Sequence, residues 1–292
     1  MGEKAPQRHS PGARVGKFAL SAYRGLDKYP RVKHTIEHTL VEQAKRLFEI
    51  RDPQNFVGQA AEMATGGKIL ILVANHGSHS DLVPLAVLSK VIGDMTGRTF
   101  LTPFAASVET GDQGSALQAI FQIAKPALLQ HHMEPVPFVR KADTAQYRIE
   151  KGGNESGRRM LQEDSFVWLP EGTVKSSRRD EQGNKFGMQK PPKEFETAMR
   201  LLLRSGREIV FLPVGISGSD SILGPDSRKP SAKALRRLAT PPPLLRPMAK
   251  VTVGEPFVLS RETKPKDTDV RDYIMQRIAP LVPEEIRGAY RR

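Results

Sequence analysis

Two short apolar runs limit what this chain can become. "KILILVA" (68–74) and "EIVFLPVGISG" (208–218) are too short for buried helices and apolar at nearly every position. A strand covered on both faces reads this way, and such strands belong to sheets sandwiched between helices. Further strand-like runs are "TFLTPFAA" (99–106), "EPVPFVRK" (134–141), "SFVWLPEGT" (165–173) and "AKVTVGEPFVL" (249–259), the last read as one strand. Between them lie helical patterns: a helix after the polar loop that follows residue 74 and ending near Gly93, "ALQAIFQIAKPALLQ" bent or ended by Pro126, one within "RIEKGGNESGRRMLQED", and "KEFETAMRLLLRSG" (193–206) closed by Gly206. The alternation predicts an α/β fold with a largely parallel or mixed central sheet flanked by helices.

Ahead of that sheet, apolar residues recur from Val32 to Phe48 at helical spacing, which predicts an amphipathic helix packed on the core. The organisation expected is a basic disordered tail over 1–16, an N-terminal helical segment over 17–66 and an α/β domain over 67–292. No apolar stretch reaches the roughly 18 residues a bilayer-spanning helix needs, and the N-terminus has no apolar core of a secretory signal. The expected location is cytoplasmic, peripheral on a membrane.

The chain contains no cysteine, which removes disulfides, thiolate nucleophiles and cysteine-ligated zinc. A formal net charge of +13 predicts attraction to polyanions: an anionic membrane surface, phosphorylated substrates or an acidic carrier protein. Nucleic acid fits less well, because one tryptophan and five tyrosines provide few stacking platforms.

Open α/β sheets gather their chemistry beyond the carboxyl ends of the strands. There the first run opens into "NHGSHSD" (75–81). A carboxylate at Asp81, on the first turn of the next helix, can fold back onto His76. It would set the imidazole's tautomer and stabilise the imidazolium, so that the ring could take a proton from a hydroxyl. Ser80 is the expected helix cap, because it leaves Pro84 in the first turn; Ser78 paired with Asp81 in a capping box is the alternative.

Other chemistries fare worse. His76, His79 and Asp81 resemble a metal cluster, but the histidines downstream are only the adjacent His131 and His132, so no metal is expected. "GISGS" (215–219) approximates a nucleophile elbow, yet no histidine follows it in the order that fold requires. Walker-type and dinucleotide glycine loops are missing. His34 and His38, on the polar face of the N-terminal helix, receive no role.

Four stretches together resemble the glycerolipid acyltransferase family, the glycerol-3-phosphate and lysophosphatidate acyltransferases. "NHGSHSD" matches its first motif at Asn75, His76, Ser78 and Asp81. "PFVRK" resembles the second at Phe138 and Arg140, with Lys141 in place of an arginine. "WLPEGTVKSS" is similar to the third at Pro170, Glu171, Gly172 and Thr173, and "VFLPVGI" to the fourth at Pro213. The order and spacing agree over roughly 70 to 260.

The resemblance implies an O-acyltransferase with His76 as general base and Asp81 orienting it. Acyl-CoA or acyl-carrier protein would be the donor, and the acceptor a phosphorylated glycerolipid precursor such as glycerol 3-phosphate or lysophosphatidate. No cofactor is implied. Arg140 and Lys141 would bind the acceptor's phosphate, while Glu171, Gly172 and Thr173 would shape its pocket, beside Asn75 and Ser78. Val174 stands where the family has an arginine, and Lys175 is a candidate replacement. The competing expectation is a non-catalytic basic protein that binds lipid or nucleic acid on the same scaffold. Acyl length, acylated position and oligomeric state stay open.

Overall fold

The computed structural model describes residues 28–31, 42, 45–105, 124–138, 162–171, 187–222, 247–263 and 269–291. The proposed tail at 1–16, nearly all of the 32–48 stripe and all but the last three residues of "RIEKGGNESGRRMLQED" lie outside them.

Among the described residues, eight strands form one mixed, mostly parallel sheet: β1 (Phe48–Arg51), β2 (Ile69–Ala74), β3 (Phe100–Ala105), β4 (Met133–Phe138), β5 (Ser165–Trp168), β6 (Ile209–Ser217), β7 (Ala249–Val253) and β8 (Phe257–Leu259). Their spatial order is β1-β7-β6-β2-β5-β3-β4, with β8 also against β6. β2 to β6 run parallel, whereas β7 and β8 oppose β6, and β1 follows β7. The carboxyl ends of β2 to β6 therefore share one edge of the sheet. Among the described residues, helices that join it include α1 (Phe56–Met63), α2 (Leu82–Thr96), α3 (Lys193–Arg204) and α4 (Val270–Ile278). Residues 124–130 are helical as well, and Pro126 falls within them.

Period-two alternation explains why the central runs are apolar throughout. Leu70, Leu72, Ala74, Val210, Leu212 and Val214 enter one core, which they share with Val57, Ala60 and Ala61 of α1 and Leu85, Leu88 and Ile92 of α2. Ile69, Ile71, Val73, Ile209 and Phe211 enter the other, with Phe195, Met199 and Leu202 of α3 and Ile274, Met275 and Ile278 of α4. β2 is fully buried along its length. A strand with a solvated face would show polar residues at every second position.

Three expected boundaries move. Phe48 begins a strand instead of closing the helical stripe, because β1 finds parallel partners Ala249–Thr252 in β7. The 249–259 run is two strands: Pro213 has no N–H for a ladder bond, and the chain jogs at Gly254, whose N–H meets the Pro213 carbonyl at 2.8 Å. α2 continues past Gly93 to Gly97, which ends it at φ 74° with its N–H on the Gly93 carbonyl. Gly93 serves a close approach, since a Cβ there would lie 2.4 Å from the His132 ring. Among the described residues no helix is long and apolar enough to cross a membrane.

Leu72 is wholly buried at the centre of β2. Leu72→Ala is expected to cost about 2–5 kcal/mol, read as a lower urea midpoint at unchanged m-value.

Candidate active site

β2 delivers Asn75 and His76 to the edge where the parallel strands end. Asn75 carries the sheet one step further through its side chain. Its Nδ2 donates to the Ile216 carbonyl (2.8 Å), and its Oδ1 accepts the Ile216 N–H (2.7 Å). The amide thus imitates a backbone pair between β2 and β6, and both of its polar atoms are engaged there. Ile216 supplies only main-chain atoms, so nothing in its identity marks it as a partner.

After His76 the chain turns sharply. His79–Asp81 form a single 3-10 turn, and α2 follows from Leu82. The cap of that turn is Ser78 and not Ser80. Ser78 Oγ accepts the Ser80 N–H at 3.3 Å, and Asp81 completes a capping box from the other side. Inserting the 3-10 turn removes the objection to Ser78, since Pro84 still lies in the first turn of α2. Ser80 Oγ instead bonds Ser78 Oγ (3.0 Å) and the Ser219 carbonyl (3.2 Å), tying the loop to the end of β6. Gly77 passes close to that same turn, where a Cβ would stand 3.2 Å from Ser219 Oγ.

The fold-back brings Asp81 to His76. Asp81 Oδ2 lies 3.2 Å from His76 Nδ1 and accepts the N–H groups of Gly77 and Ser78, each at 2.8 Å. Three donors converge on one oxygen of a fully buried carboxylate. Facing such an acceptor, Nδ1 carries the ring proton, and the basic lone pair is on Nε2. The His76 side chain keeps 12% of its surface exposed, against 0% for Asp81. The imidazole is therefore held from inside and reachable from outside. His79 places its ring edge-on to that of His76, 5.8 Å between centroids.

Glu171 arrives from the turn after β5 and is also buried. Its Oε1 accepts the His76 N–H (2.9 Å) and its Oε2 the Gln189 N–H (2.8 Å). Its side chain thus braces the main chain of the histidine. Burial pushes its pKa from 4.5 up to about 8; the two N–H donors pull the other way, and the nearby Asp81 charge adds to the rise. Gln189 was not anticipated, because it contributes a main-chain N–H and that group has no sequence signature.

Asn75, His76, Ser78, Asp81 and Glu171 thus meet at one place. Arg140, Lys141, Gly172, Thr173 and Lys175 lie outside the described residues. Among those described, no group of three or more His, Asp or Glu side chains could hold a metal ion. The chain matches no protein-family model and no curated protein.

Glu171 gives the site a pH signature. Its folded pKa is raised, so between about 4.5 and 8 the native state holds a proton that the unfolded chain releases. Its contribution to stability is complete below 4.5 and is lost as pH rises through 8. Chemical denaturation from pH 5 to 9 should show native stability falling, and Glu171→Gln should flatten that fall.

Proposed function

We propose that the chain is an O-acyltransferase moving a fatty acyl group from a thioester to a hydroxyl, with His76 as general base. The observation that carries this reading is the His76–Asp81 pair at the carboxyl end of β2, steadied through Glu171 from β5. Binding alone requires neither an oriented imidazole nor a carboxylate buried behind it.

Nε2 takes the proton of the acceptor hydroxyl as its oxygen attacks the thioester carbonyl. The tetrahedral intermediate collapses with cleavage of the C–S bond. The departing thiolate takes the proton from the imidazolium, and the base is restored. Asp81 stabilises the imidazolium between the two transfers. No side-chain nucleophile is needed, in keeping with a chain that has no cysteine.

The donor we propose is acyl-CoA or acyl-carrier protein, and the acceptor a phosphorylated glycerolipid precursor. Arg140 and Lys141 follow the last residue of β4 by two and three positions, and β4 ends on the same sheet edge as β2. A guanidinium offers phosphate paired hydrogen bonds, and a lysine beside it adds charge. Gly172, Thr173 and Lys175 follow Glu171 directly and belong to the same reading. The net charge of +13 supports a station on an anionic membrane surface, where each Lys or Arg near the leaflet contributes about 1 kcal/mol. The same field would steer an acidic carrier protein.

Purified protein given palmitoyl-CoA should release thiol only when glycerol 3-phosphate, lysophosphatidate or another lysolipid acceptor is added. His76→Ala should lower that rate about 10²–10⁴-fold while the circular dichroism spectrum is unchanged. Thiol release that survives the substitution, or that needs no acceptor, would remove the base from this reading.

A further inference from the structure

The chain after α4 makes three 3-10 turns, Ala279–Leu281, Glu284–Ile286 and Gly288–Tyr290. The first packs on the face of the sheet over β6 and the residue after β7. A Cβ on Gly215 of β6 would come 2.5 Å from Leu281 Cβ, and one on Gly254 would come 2.8 Å from Leu281 Cδ1. Glycine at both positions makes room for that leucine. The other two turns grip Met188 from both sides of its peptide. Its N–H donates to the Ile286 carbonyl (2.8 Å), and its carbonyl accepts the Ala289 N–H (3.0 Å). Gly187 and Gly288 press together: a Cβ on Gly187 would stand 2.5 Å from the Gly288 nitrogen, and one on Gly288 2.4 Å from the Met188 carbonyl oxygen. Tyr290 donates its hydroxyl to Asp272 of α4 (2.9 Å), whose other oxygen holds Lys190 (2.6 Å).

The gripped residue is next to the one that matters. Gln189 follows Met188 and gives its N–H to Glu171 Oε2, while Glu171 Oε1 holds the N–H of His76. A continuous line of main-chain bonds and one buried carboxyl runs from the C-terminal turns to the main chain of His76. We infer that the segment Pro283–Tyr290 is a positioning element for His76, setting Gln189 against Glu171 and so fixing the histidine's main chain. The inference rests on His76 being the base of the proposed reaction. Glu171 touches two donors from different parts of the chain, and with Gln189 displaced it keeps only one. The Glu171 side chain that braces the His76 main chain then loses its second anchor, so the ring held by Asp81 shifts with its backbone, and small misplacements of a reacting group carry large rate costs.

The test uses the full chain with Gly288→Val, which puts a β-branched side chain at φ 53° against the Met188 carbonyl and pries the turn away. Ala289→Pro is the milder companion, removing one hydrogen bond, and it is read alone where Gly288→Val does not fold. Two readouts are taken: kcat and KM with palmitoyl-CoA, and the pH titration of the histidine ring resonances by NMR. The expected result is a kcat lowered about 10–100-fold with KM changed less than about twofold, together with displaced His76 resonances and an altered His76 titration, while His132 titrates as before. A folded variant whose His76 signals and titration coincide with those of the parent overturns the inference. The NMR readout needs no turnover. A displaced His76 in a protein whose parent releases no thiol sustains the positioning role and overturns the transferase.

Discussion

One oxygen atom organises the site. Asp81 Oδ2 gathers the His76 ring and the N–H groups of Gly77 and Ser78. A carboxylate with no solvent contact requires such donors, because an ion removed from water without compensation costs several kcal/mol. The same three contacts dictate the path of the chain. Two successive N–H groups can reach one oxygen only if the backbone turns tightly after His76, and the 3-10 turn with its Ser78 cap is that turn. The imidazole then completes the donor set. Its orientation is thus a consequence of supplying donors to Asp81 Oδ2, and a change that frees the histidine removes one of the three.

The sheet explains why this constraint falls at an accessible edge. β2 lies between β5 and β6, both parallel to it, so its carboxyl end is flanked by theirs. β6 and the turn after it answer through Ile216 and Ser219, which bond Asn75 and Ser80, and the turn after β5 answers through Glu171. Each neighbour thus holds one side of the 75–81 loop. An edge strand would have had one such neighbour and a looser loop.

Much of this was legible in the sequence, and the illegible part has a common cause. "KILILVA" and the run over 208–218 announced central strands because both of their faces are buried. The His76–Asp81 pairing was legible from spacing, since a short polar loop between a strand and a helix start leaves few places for a carboxylate to go. β1 was not legible: four residues, "FEIR", carry little pattern, and their partner β7 lies near the other end of the chain. The break between β7 and β8 turned on the N–H that Pro213 lacks, a fact about the neighbouring strand. Glu171 was visible as a motif residue expected to shape the acceptor pocket, but that its oxygens meet the main chain of His76 and Gln189 was not. Main-chain donors and acceptors are the same at every residue, so side-chain identity says nothing about which of them a buried carboxyl will find.

The two buried carboxyl groups also divide the electrostatics between them. Burial raises the pKa of Glu171 to about 8, and the two stand close enough for the Asp81 charge to add to the rise. Near neutral pH Glu171 is therefore largely protonated, while Asp81, with donors on one oxygen from three groups, is the acceptor facing the ring. Two ionised carboxylates here would repel each other. A neutral Glu171 keeps the bracing contact to the His76 main chain without adding that second charge. The pairing of unlike environments for like groups is how a site gives two carboxyls separate tasks. Here one works on the ring and the other on the backbone that carries it.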